Sequence, residues 1–148
     1  MLLTSCKVRR VTAVRETTKT YTELNNLDIS RRLKLGIESW LGVPYRYGGK
    51  DKKGIDCSGL VCELYKLVYK EELPKTVRLQ YETCKKIPMR KLREGDLIFF
   101  NPETKDVTHV GLYLSANKFV QASVSKGVII SDLGNTYYKK HVVCGGRF

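Results

Sequence analysis

A chain of 148 residues has room for one domain with a single core. Its 42% hydrophobic share excludes an intrinsically disordered protein, and the lack of any run of about 18 apolar residues excludes a membrane-spanning helix. The formal charge of +12 suits a polyanionic surface such as nucleic acid, anionic lipid or a carboxylate-rich wall. Nucleic acid is disfavoured, because the basic residues stand in scattered pairs (Lys52-Lys53, Lys85-Lys86, Lys139-Lys140). Apart from Tyr45-Arg46-Tyr47 they are not interleaved with aromatic side chains on which bases could stack.

At the start of the chain, Leu3-Thr4-Ser5-Cys6 has the form of a bacterial lipobox, in which the cysteine becomes lipidated. An export signal needs a basic start and an apolar run of about 7–15 residues. Only five residues precede Cys6, so either the chain begins inside a longer signal or the match is chance. Residues 7–28 are basic and Thr-rich with little apolar periodicity, and are read as a tether. The folded domain is expected over 29–148.

Asp28 is the expected N-cap of a first helix over 29–41, in which Ile29, Leu33, Ile37, Trp40 and Leu41 recur at helical spacing and Gly42 is the stop. Residues 42–56 read as loop. A second helix is expected over 57–70, with Leu60, Val61, Leu64, Tyr65, Leu67 and Val68 on its apolar face. A shorter one is expected from Val77 to Cys84. From Leu97 the period changes to that of strands: Leu97–Phe100, Val110–Leu114, Lys118–Ser123, Val128–Ser131 and Val142–Cys144. Helices first and an antiparallel meander afterwards make the class α+β.

Cys57 is placed where a Gly-containing polar loop enters a helix. Unpaired backbone N–H groups and the helix dipole there favour thiolate over thiol. His109, one of two histidines, opens a strand well downstream. Cysteine and histidine together are the minimal kit for acyl transfer through a thioester, with a third polar residue to orient the imidazole. Taken alone, each has an ordinary structural reading: a buried small hydrophobe and a satisfied histidine. Cys62 falls on the apolar face of its helix and reads as core. His141 fits no pattern and reads as a surface residue. Among Cys6, Cys57, Cys62, Cys84 and Cys144 there is no C-x-x-C pair, so neither a zinc site nor a dithiol site is expected. The chemistry calls for no metal and no organic cofactor.

Five segments occur in order: Tyr45-Arg46-Tyr47-Gly48-Gly49, Gly54-Ile55-Asp56-Cys57-Ser58-Gly59, Gly95-Asp96-Leu97-Ile98-Phe99-Phe100, His109-Val110-Gly111-Leu112-Tyr113-Leu114 and Phe119-Val120-Gln121-Ala122-Ser123. Together they resemble the NlpC/P60 cysteine peptidases of bacterial cell walls, over about Leu33 to Arg147. The resemblance implies a papain-like α+β fold, with N-terminal helices packed on a small antiparallel sheet. It implies cleavage of peptidoglycan stem peptides, commonly between D-γ-glutamate and a diamino acid. By motif position Cys57 is the nucleophile and His109 the base. Tyr45 falls at an active-site tyrosine that assists the oxyanion, and Asp56 and Ser58 at the substrate-binding pair beside the nucleophile. Gln121 departs from the family pattern, which usually has a second histidine there. A glutamine carbonyl can still accept from an imidazole N–H. Asp56 also reads as a plain N-cap, and Gln121 as a polar residue on a wet strand face. Tyr47 reads as a packing aromatic.

These readings place the protein outside the cytoplasm, in the periplasm or held to a membrane by lipid on Cys6. Two other functions fit parts of the pattern. A non-catalytic wall-binding module with a decayed site is supported by Gln121 alone. A thiol amidase or acyltransferase on another substrate is disfavoured, because in the permuted enzymes of that kind the histidine precedes the cysteine. Nothing in the sequence sets the oligomeric state, and a monomer is the default expectation.

Overall fold

The structure is a computed structural model that describes residues 18–102 and 104–148. Cys6 and the first part of the expected tether lie outside the described residues. Residues 18–25 are helical (α1), followed by α2 (Arg31–Glu38), the two-residue strands β1 (Lys50–Asp51) and β2 (Gly54–Ile55), α3 (Cys57–Val68) and α4 (Val77–Thr83). Then come β3 (Lys85–Ile87), β4 (Leu97–Phe100), β5 (His109–Tyr113), β6 (Lys118–Ser123), β7 (Gly127–Asp132), α5 (Thr136–His141) and β8 (Val142–Arg147). Among the described residues, no helix is long and apolar enough to cross a membrane.

Packed structure begins earlier than the composition indicates. Leu24 is fully buried and Leu27 nearly so, and both belong to the main core, so residues 18–28 are part of the domain and not a tether. Lys118 reaches back to Glu23 at 2.6 Å and fastens α1 to β6. Ser30, not Asp28, caps α2: its Oγ accepts from the Leu33 N–H, and its own N–H and hydroxyl donate to Glu94. A tertiary partner decides this cap, which local sequence cannot show.

Six strands form one antiparallel sheet in the order β3-β8-β4-β5-β6-β7. All four residues of β4 are buried because both faces of the sheet are covered. Leu97 and Phe99 join the main core with Val110, Leu112, Val120 and Ala122, against α3. Ile98, Phe100 and Phe119 face a second cluster on the other side, closed by Leu133 and Tyr138. Strand alternation therefore gives His109 and Gln121 the same face as Phe119, opposite to α3. Two strand pairings escape the sequence pattern, the β1–β2 hairpin inside the expected loop and β3 on the sheet edge. Neither has enough apolar residues to show a period.

The segment before the site is stapled to the sheet. Gly42 N–H donates to Val128 O at 3.0 Å and Val128 N–H to Val43 O at 2.9 Å. Gly127, at φ 73°, lets β7 approach Val43 so closely that a Cβ there would strike its carbonyl.

Candidate active site

Asp56 organises the start of α3. Its Oδ1 accepts from the Gly59 N–H at 2.7 Å and from the Ser58 hydroxyl at 3.1 Å, capping the helix. Its Oδ2 accepts from the Gly48 N–H at 2.9 Å, which holds the Tyr45–Gly49 loop. Ile55 N–H to Pro44 O and Arg46 N–H to Ile55 O complete the attachment. One carboxylate thus fixes both the helix turn that bears Cys57 and the loop that bears Tyr45.

Across from it, His109 opens β5, paired with Phe100 of β4. Its Nε2 lies 2.7 Å from Oε1 of Gln121 on β6. A carbonyl oxygen only accepts, so Nε2 carries the proton and Nδ1 keeps its lone pair. The Gln121 amide nitrogen donates to Ser131 Oγ at 2.7 Å and to the Tyr138 hydroxyl at 2.6 Å. Cys57, Tyr45, His109 and Gln121 all line one cavity of about 470 Å³. Helix α5 supplies another part of its wall through Tyr137, Tyr138 and His141.

The expected substrate-binding trio does not share this cavity. Tyr45 lines it, whereas Asp56 lines a neighbouring groove of about 200 Å³ along α3, and Ser58 is buried with its hydroxyl turned to Asp56. His141, expected at the surface, lines the cavity, with its ring 4.8 Å from that of Tyr137. Tyr47, expected to pack, is 90% exposed. Cys62 is half-buried, with its thiol directed at the Leu73 and Pro74 carbonyls. Sequence reasoning missed Ser131, Tyr137 and Tyr138, because nothing in a strand-end serine or a Tyr-Tyr pair marks the fold-back of α5.

Electrostatics overturn one expectation. The Cys57 thiol is pushed up to about 11, chiefly by burial, while backbone N–H groups of Val110, Ser58 and Cys57 pull it down and the Asp56 charge pushes it up. Burial thus outweighs the helix N-terminus. Burial also lowers the pKa of His109, and its bond to Gln121 opposes that in part. Tyr45 is raised, first by burial and then by the nearby Cys57 and Asp56 charges. The Cys57 and His109 shifts both favour the neutral thiol and the neutral imidazole over a thiolate–imidazolium pair. Among the described residues there is no cluster of His, Cys, Asp and Glu that could hold a metal ion.

A helix led by a buried cysteine packs on an antiparallel sheet that carries a histidine, in an α+β architecture. The chain belongs to the NlpC/P60 family, which it matches over residues 42–147. It is 42% identical over 117 residues to the murein DD-endopeptidase/LD-carboxypeptidase MepS of Escherichia coli, a match covering 79% of this chain and 62% of that protein. It is 40% identical to the probable endopeptidase NlpC of Escherichia coli, over 71% of this chain and 69% of the relative. A gamma-DL-glutamyl hydrolase of Bacillus subtilis is 34% identical, over 75% of this chain and 27% of the relative. Among solved structures, an NLP/P60 family protein of Staphylococcus aureus superposes with a TM-score of 0.71 at 30% identity, covering 79% of this chain and 40% of that one. RipD of Mycobacterium tuberculosis, described as a non-catalytic NlpC/p60 domain protein, has the same fold at a TM-score of 0.64 and 22% identity, covering 78% of this chain and 94% of that one. The fold alone therefore does not specify catalysis.

Proposed function

We propose that this chain is a cysteine peptidase that hydrolyses peptidoglycan stem peptides, with Cys57 as nucleophile, His109 as base and Gln121 orienting the imidazole. The observation that carries this reading is the 2.7 Å bond from His109 to Gln121 in a cavity that Cys57 also lines. That bond leaves Nδ1 of His109 as the proton acceptor. The Cys57 proton passes to Nδ1 as Sγ attacks the scissile carbonyl carbon. The oxyanion is held by the Cys57 backbone N–H at the helix start and by the Tyr45 hydroxyl. His109 then returns the proton to the leaving nitrogen, the C–N bond breaks, and a thioester remains. Water, deprotonated by His109, attacks the thioester and releases the acid and the thiol.

We place the cut at the bond between D-γ-glutamate and the diamino acid, in keeping with the glutamyl hydrolase relative. MepS, the more similar relative, carries a name that favours a second reading, a DD cross-link cut. Asp56, through its groove face, and Ser58, through Asp56, would set the binding of the stem peptide's amino end. Action on the wall requires export, and lipid on Cys6 would hold the protein at a membrane facing its substrate. Labelling with a fatty-acid analogue that disappears in Cys6→Ala supports the anchor, and labelling that persists sinks it.

Mass spectrometry of defined muropeptides with wild type and Cys57→Ala tests the activity. Cleavage by wild type alone is expected, and the product masses separate the two bonds. Wall binding by both proteins with cleavage by neither would instead make this a binding module.

A further inference from the structure

We infer that Ser131 and Tyr138 are positioning residues that make a glutamine competent as the third member of the site, by fixing which end of its amide faces His109. This rests on the peptidase reading only for its kinetic arm.

An amide has two unlike ends. With the carbonyl toward His109, the imidazole holds its proton on Nε2 and Nδ1 is a base. With the NH2 end toward His109, Nε2 must accept, the proton moves to Nδ1, and the nitrogen the mechanism needs is blocked. Counting partners decides between the two. In the observed orientation Gln121 makes three hydrogen bonds, one accepted from His109 and two donated, to Ser131 Oγ at 2.7 Å and to the Tyr138 hydroxyl at 2.6 Å. Turned over, the carbonyl could accept from the two hydroxyls and one N–H could face His109. The second N–H would then have no partner, on a side chain only 3% exposed. Buried donors without partners are disfavoured, so the two oxygens select the productive tautomer.

The pair is built by tertiary structure. Ser131 comes from β7 and Tyr138 from α5, 10 and 17 residues beyond Gln121. Tyr138 is held independently by its ring, which meets Phe119 edge-on at 5.0 Å and Phe100 at 5.7 Å. A phenylalanine at 138 keeps those contacts and removes only the acceptor. One N–H is then unpartnered in either orientation, and the preference disappears.

The test reads the tautomer directly. In the full chain with ¹⁵N-labelled imidazoles, long-range proton–nitrogen spectra taken above the His109 pKa distinguish Nε2–H from Nδ1–H. The His141→Gln variant assigns the two histidines. Wild type should show Nε2–H. Tyr138→Phe should show a mixture, and kcat should fall roughly threefold to tenfold, the equivalent of about one hydrogen bond, with KM little changed. In a Gln121→Glu background both ends of the side chain accept, so adding Tyr138→Phe should leave Nε2–H in place. Should Tyr138→Phe fail to fold, Ser131→Ala carries the same expectation. An Nδ1–H wild type, or an unchanged tautomer in both variants, overturns the proposal. If wild type cleaves no stem peptide, the peptidase reading fails while the tautomer measurement still decides this one.

Discussion

Gln121 carries most of the departure from the usual family pattern, and its value is measurable. The bond from His109 strengthens when the ring becomes cationic, and hydrogen bonds to charged groups contribute about 1.5–3 kcal/mol. Gln121→Ala should therefore lower kcat roughly tenfold to a hundredfold by the same measure, with little change in KM in steady-state muropeptide assays. The pH profile follows from the shifts. Burial holds His109 below the ordinary 6.5, so the base is free at neutral pH and the acid limb of kcat/KM should fall below that value. Cys57 should react slowly with iodoacetamide at neutral pH and faster toward pH about 11, followed by peptide mass spectrometry. A fast plateau near neutrality would mean a preformed thiolate–imidazolium pair. The same shift affects stability: the folded thiol holds its proton longer than the unfolded one, so the contribution of this group to stability is full below pH 9.0 and is lost as pH rises toward about 11.

At the scale of elements, the nucleophile helix and the loop before it share one fastening. Asp56→Ala removes the α3 cap, at a cost of about 0.5–2 kcal/mol, and also frees the Gly48 N–H. Activity should fall by more than the stability loss explains, because the Tyr45 loop is released. Thr76→Ala, which uncaps α4 by removing the acceptor for the Leu79 N–H, should cost stability without that catalytic excess. Paired melts and kcat values separate the two. Helix α3 and strands β4 to β7 are legible in the chain because they bury enough side chains to impose a period on it. Helix α5 is not, because it buries none of its residues fully and sits where partners from β6 and β7 need it.

For the molecule as a whole, the domain begins before its sequence boundary. Leu24 is fully buried in the main core, so Leu24→Ala should cost about 2–5 kcal/mol. Denaturant unfolding of that variant checks whether residues 18–28 belong to the cooperative unit. The C-terminal strand is fastened by Arg147, whose guanidinium meets both oxygens of buried Asp96 at 2.7 Å. Arg147→Met should lower Tm clearly more than Arg78→Met, since the Arg78 pair with Glu82 is solvent-exposed.

Residue order by itself determined the α+β class, the family, and the identities of Cys57, His109 and Gln121 as candidates, because these rest on local periodicity and on motifs read in sequence. Tertiary structure alone decided that Ser131 and Tyr138 bond the amide nitrogen of Gln121, that α5 brings Tyr138 and His141 to the cavity, and that burial raises the Cys57 pKa. Each of those depends on groups distant in the chain sharing a space from which water is largely excluded, and no local pattern of residues encodes that.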